Sequence, residues 1–321
     1  MELKTNDSER TKSRDLSIEL LRIFLMVLIV WGHFIGFGFH SKINVDGTPN
    51  LSAYLSPLYL YHVDAFVFIS GYYGIKLKWE KFSLLIIKMV IYSIIAMGLA
   101  KVLLPDFALS LSIFIHNLYP ISTCDWWFMA QYLYLMLLAP ILNYGMDALN
   151  RKQASILVLV LYLSWFRCTY VLLLFIYLLG RYMRKYPIKA WENNAAMVFV
   201  ISVSFFFLLN LYFVNKGVYI KKLYDYMSPF VVIPAVSIFY VFRRLHITWS
   251  GIGVVAPGVL AAYLITTHEL PRQAFNDFFF SMVGGNVAAL LGVSAIIVVF
   301  AALMDNVITR LLTPLFRMVH K

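Results

Sequence analysis

Residues 17–38 read SIELLRIFLMVLIVWGHFIGFG. This run is long and apolar enough to cross a bilayer as one helix, since a span needs about 20 mostly apolar residues. Arg22 and His33 inside it stand out from that pattern. A charged or titratable group at membrane depth is expensive and is retained mainly where it has a function. Eleven residues of helix advance about 16 Å and complete about three turns. Arg22 and His33 therefore share one helix face, toward opposite ends of the span. That face offers a fixed cation and, further along, a group that exchanges a proton near neutral pH. For Arg22 the alternative is snorkelling to lipid phosphates. For His33 it is a hydrogen-bonded imidazole with no further role.

The rest of the chain supports a membrane setting. Of 321 residues, 61% are hydrophobic and only 13% are charged, about half the charged share of a soluble domain. The expected fold class is all-α: a polytopic transmembrane helical bundle in the cell membrane, in contact with the lipid bilayer. The net charge of +11 reads as loop anchors on the cytoplasmic side rather than as a nucleic-acid surface, so no nucleic-acid partner is expected. Cys124 and Cys168 form no disulfide framework and no metal-ligand spacing, and no metal is expected. Both fall near the expected outer surface, where a single bridge stays open. The first apolar run is too long for the core of a cleaved leader and reads as a retained span. No Gly-Lys-Ser/Thr phosphate loop and no Gly-x-Ser-x-Gly elbow is present.

About ten spans are expected, near residues 15–38, 54–75, 82–104, 126–143, 153–167, 168–183, 194–214, 226–242, 247–266 and 278–304. Residues 1–14 and 305–321 are expected as cytoplasmic tails around a transmembrane domain of 15–304. Most lysines and arginines, among them Lys76, Lys78, Lys81, Arg151, Arg184 and Arg243, fall in segments that are cytoplasmic if both termini are inside. Lys42, Lys101, Arg167 and Arg272 would be external, as would Lys216, Lys221 and Lys222, which run against the bias. This orientation puts Arg22 inward and His33 outward. Glu19 precedes Arg22 by three residues, which suits a pair on one helix. No internal repeat is evident.

Other polar residues interrupt the apolar pattern. His62 and Asp64 lie two apart in YHVDAFVFISGYYGIK and face different sides of a regular helix. Asp64 is a candidate partner for an imidazole on another helix. Ser70, Gly71, Tyr72 and Tyr73 end that span; they suit close helix packing or ligand contact. Asp125, Trp126 and Trp127 open the next aromatic span, with Gln131 one turn deeper. Paired tryptophans serve as interfacial anchors or as a stacking surface for a sugar. His268 and Glu269, beside Arg272, give a second imidazole at the depth of His33. Lys88 is a second intramembrane cation, able to meet an anionic cofactor or to snorkel.

Together these residues resemble the acyltransferase-3 family of integral membrane acyltransferases. The likeness rests on Arg22, ten residues and His33. It rests also on Phe66 to Tyr73 (FVFISGYY), on Trp127 through Leu142, where an aromatic span ends in Ala-Pro-x-Leu, and on Tyr263 to His268. It covers essentially the whole hydrophobic region, and the nearest form is the stand-alone polysaccharide O-acetyltransferase. One departure is that the arginine cluster many members carry at the inner end of the third span is here represented by Lys88, with Lys76, Lys78 and Lys81 before it.

The resemblance implies an acyl-coenzyme A donor, acetyl-CoA first, and an acceptor hydroxyl on a cell-surface glycan or lipid-linked sugar. It assigns donor contact to Arg22, Lys88, Ser70 and Tyr72. It assigns proton transfer to His33, oriented by Asp64 or Glu269, with His268 nearby. Acceptor contact falls to His62, Trp126, Trp127 and Gln131. A second reading is a transporter or flippase of a lipid-linked sugar, which predicts inverted repeats and interrupted helices.

Overall fold

A computed structural model describes residues 15–39, 50–123, 125–164 and 171–319, with side chains through residue 314. Cys124, Cys168, Lys42 and Arg167 lie outside them, as do residues 1–14. Among the described residues the chain is helical, with no strand. In chain order the helices are α1 (Leu16–Gly38), α2 (Leu51–Leu55), α3 (His62–Tyr73), α4 (Trp79–Leu103), α5 (Leu111–Asn117), α6 (Trp127–Ala148), α7 (Arg151–Leu163) and α8 (Leu172–Lys185). They continue with α9 (Lys189–Asn193), α10 (Ala195–Asn215), α11 (Pro229–Arg243), α12 (Gly251–Val255), α13 (Leu260–Thr267), α14 (Arg272–Met282) and α15 (Val287–Val319).

Among the described residues, five segments are long and apolar enough to cross a membrane: α1, α4, α10, residues Lys221–Arg243 ending in α11, and α15. A sixth is counted if the pair Gly251–Thr267 and Arg272–Met282, bent by 98°, is one broken span. The other segments expected near 54–75, 153–167 and 168–183 also form helices: α3, α7 and α8 have 12, 13 and 14 described residues, where a crossing takes about 20. α6 has the length, with 22 residues, but its run includes Gln131, Pro140 and Asn143. The 305–321 tail is also largely helical, because α15 continues through Asp305 to Val319.

α1 is the hub. Asp15 caps it, accepting the Ser17 backbone N–H at 3.1 Å. Its flanks are covered by α3, α11, α13, α14 and α15, which is why most of its length is buried although the helix is apolar nearly all round. The Ser17 hydroxyl donates to the Leu245 carbonyl at 2.5 Å. Phe24 stacks on Phe242, centroids 5.7 Å apart. The C-terminal end of α11 thus lies beside the N-terminal end of α1.

α3 and α8 form the most extensive helix pair. Their backbones meet through glycines. A Cβ on Gly71 would run into the Tyr177 carbonyl, and one on Gly180 would stand 2.7 Å from both the Phe68 oxygen and the Tyr72 nitrogen. Side chains must be absent for two helices to come this near. The end of α3 is then locked. The Tyr177 hydroxyl accepts the Ile75 N–H at 3.0 Å and donates to Asn143 Oδ1 at 2.7 Å, and Asn143 Nδ2 donates to the Ile75 carbonyl at 3.0 Å.

Overpacking a close interface costs about 1–3 kcal/mol or more. Gly71→Ala and Gly180→Ala are therefore expected to lower the thermal unfolding midpoint of the purified protein in detergent. Gly98→Ala and Gly145→Ala, where an added Cβ meets nothing within 4 Å, should leave it unchanged or raise it.

Candidate functional site

Arg22, Met26, Ile29 and His33 follow one another on α1 at steps of four, three and four residues, so they share a face. α3 runs the other way beside it and brings up His62, Val63 and Phe66. Between them lies a cavity of about 480 Å³ including its mouth. Trp127 and Phe128 of α6, Tyr226 before α11, and Leu260 and Tyr263 of α13 complete its wall. An apolar lining with few polar groups is the usual character of a small-molecule site.

The polar groups of this cavity include two imidazoles, beside the hydroxyls of Tyr226 and Tyr263 and the indole of Trp127. His33 Nδ1 is buried without a hydrogen-bond partner. Its ring lies 5.8 Å from Phe37 and 6.3 Å from Tyr263. His62 Nδ1 is likewise buried and unpartnered, and its ring stacks on Tyr59 at 6.2 Å and sits 6.4 Å from Tyr226. Trp127 stacks on Tyr226 at 5.9 Å, giving the wall a flat aromatic surface of the kind that packs against a ring. Of the twelve residues singled out from the sequence, His33, His62 and Trp127 line this one cavity.

The others lie elsewhere. Asp64 is fully buried, and both its oxygens lack partners, but it does not line the cavity. Glu269 is exposed. Among the described residues no carboxylate hydrogen-bonds His33. The nearby charge is instead Arg272, whose guanidinium stands 4.8 Å over the Phe37 ring. Trp126 is buried, donates its indole N–H to the Leu264 carbonyl at 3.2 Å, and meets His268 edge-on at 5.0 Å. It ties α6 to α13 rather than facing the cavity. His268 is buried beneath it, and its Nδ1 accepts the Leu270 N–H at 3.3 Å. Gln131 holds a buried, unpartnered Oε1 outside the cavity lining.

The residues assigned to donor contact separate in the same way. Arg22 pairs with Glu19 at 3.0 Å and stays about one-third exposed. The Ser70 hydroxyl donates to the Phe66 carbonyl and lies 3.1 Å from the Tyr132 hydroxyl. Tyr72 is buried beneath Arg184 and Arg243. Lys88 meets Asp305 at 2.6 Å, and the Tyr92 hydroxyl donates to the other oxygen of Asp305 at 3.0 Å. This buried ion pair joins α4 to α15 and occupies the lysine. It borders a second cavity of about 460 Å³, whose lining includes Lys81, Lys88, Asp305 and Leu260. Leu260 thus belongs to the walls of both cavities.

Tyr226, Leu260, Arg184 and Arg243 are the main additions from the structure. Tyr226 and Leu260 look like ordinary apolar-segment residues in the sequence, and the two arginines look like loop anchors. Only the packing of α8 and α11 against α3 gives them a common place.

Removing one partner of a buried ion pair costs about 3–5 kcal/mol, because the other charge is stranded. Lys88→Met is therefore expected to lower the thermal midpoint strongly, and the double variant Lys88→Met, Asp305→Leu should recover most of the loss. Unchanged stability of Lys88→Met would show that the pair does not hold α4 to α15.

Compared with known proteins, the chain matches no family model, no curated protein and no solved structure.

Proposed function

We propose that the chain is a membrane O-acyltransferase of about ten crossings with cytoplasmic termini. It moves an acyl group, acetyl first, from cytoplasmic acyl-coenzyme A to a hydroxyl of a cell-surface or lipid-linked glycan. The observation that carries this reading is the face of α1. The cavity covers two turns of that helix, from His33 to Met26, and Arg22 stands one turn beyond. A cation and an imidazole thus lie on one helix face, about 16 Å apart along the axis, with apolar cavity-lining residues between them.

That layout suits a donor whose anionic end stays at the Arg22 side while its thioester reaches the imidazoles. An arginine guanidinium is matched to phosphate oxygens. In the cavity, His33 takes the proton of the acceptor hydroxyl as its oxygen attacks the thioester carbonyl carbon. The carbon–sulfur bond breaks, and the departing thiolate takes the proton back from the imidazolium. The products are the ester and free thiol, with His33 restored. A positioned base of this kind supplies about 10²–10⁴-fold. His62, on the opposite wall, is placed to donate a hydrogen bond to the developing oxyanion. The Trp127–Tyr226 stack offers the acceptor sugar a flat apolar surface.

The broken α13–α14 pair, bent by 98°, favours the second reading, a transporter of a lipid-linked sugar, because interrupted helices mark many transport sites. Transfer of label separates the two. Membranes containing the wild-type protein and native glycan, given acetyl-labelled acetyl-coenzyme A, are expected to accumulate label in glycan. His33→Ala should lower that rate about 10²–10⁴-fold. Arg22→Ala should raise the KM for the donor more than it lowers kcat. Absence of transfer by wild type, or full activity in His33→Ala, would end the acyltransferase reading.

A further inference from the structure

At the Arg22 end of the bundle, two cations share one tyrosine. Arg184, in the last turn of α8, and Arg243, at the end of α11, hold their guanidinium carbons 5.2 and 5.1 Å from the Tyr72 ring centroid. Arg243 also stands 5.9 Å from the centroid of Tyr240. Each arginine gains from the ring's negative face, but the two repel one another. The surrounding carboxylates only partly offset this. Glu192 lies 3.9 Å from Arg243 but also 3.5 Å from Lys189. Asp147 is paired with Arg181, and the Tyr73 hydroxyl meets Asp15 at 3.5 Å. Among the described residues Arg184 has no carboxylate within ion-pairing distance.

A cavity of about 460 Å³ opens here, lined by Glu192, Tyr240, Arg243 and Arg244. Arg244 is committed to the Asn193 carbonyl and side chain, at 3.0 and 3.2 Å. Tyr240 is not committed: its side chain is 2% exposed and its hydroxyl is buried with no hydrogen-bond partner. A buried hydroxyl left unpaired costs free energy. An under-neutralised pair of guanidinium groups near an unused O–H donor suits a multivalent oxyanion. Phosphate fits better than a carboxylate, because it offers more oxygens to planar guanidinium forks and to a hydroxyl donor.

We infer that Arg184, Arg243 and Tyr240 form a binding site for a phosphate group. Its ligand is either the phosphates of a soluble nucleotide-type donor or the phosphate of an anionic lipid head group. The site predicts binding, not turnover, and so stands independently of the acyltransferase reading. Glu192 competes with the ligand for Arg243, which gives the site a signature that unfolding cannot mimic.

The test is direct binding to the purified full chain at constant ionic strength, since such contacts are screened by salt. Three probes are titrated: coenzyme A, adenosine 3′,5′-bisphosphate, and nanodisc phosphatidylglycerol measured against phosphatidylcholine. Saturable binding of at least one phosphate probe is expected. Arg184→Gln, Arg243→Gln together should weaken it about tenfold or more, and Tyr240→Phe by a smaller factor. Glu192→Gln should tighten it. Binding of coenzyme A and the bisphosphate identifies a soluble donor; selective binding of phosphatidylglycerol identifies a lipid. No saturable binding of any probe, wild-type affinity in the double variant, or no gain in Glu192→Gln would overturn the site.

Discussion

The near approach of α3 to α8 through Gly71 and Gly180 is the constraint on which both ends of the molecule depend. α3 carries His62 at one end and Tyr72 near the other, and α8 carries Arg184 in its last turn. If the two backbones stood further apart, His62 would move off the wall facing His33, and Arg184 would leave the Tyr72 ring. A short helix cannot hold such a position by its own stability. α3, at 12 residues, is held by burial on several sides and by the Tyr177–Asn143 lock on Ile75. The absence of two side chains therefore sets the geometry of two separate sites.

Much of this was legible in the sequence wherever the signal was local. The α1 run, its Asp15 start, the Glu19–Arg22 pair and the common face of Arg22 and His33 follow from spacing along one helix. Close packing at Ser70-Gly71 was one of the two readings the residues allowed. What was not legible depended on partners far along the chain. Lys88 could not be told from a free cation, because its carboxylate, Asp305, belongs to another helix. Arg184 and Arg243 read as loop anchors because nothing near them names Tyr72. Trp126 and Trp127 are adjacent, but helix geometry sends one into the α13 contact and the other to the cavity.

The number of crossings shows the same limit. Apolar composition marks a segment as buried but does not say whether lipid or protein buries it. α8 presents eight of its residues to the interior, and α3 is enclosed by α1, α8 and α11. Such segments read as spans by composition whether lipid or protein covers them. Breaks at Pro57 and Pro257 further divide apolar runs that hydropathy alone treats as continuous.

Leu260 has a separate consequence. It faces the chamber of the two imidazoles on one side and the hollow beside Lys88 and Asp305 on the other. Its isobutyl group therefore stands between an aromatic compartment and a charged one, and its bulk bears on how freely the two communicate.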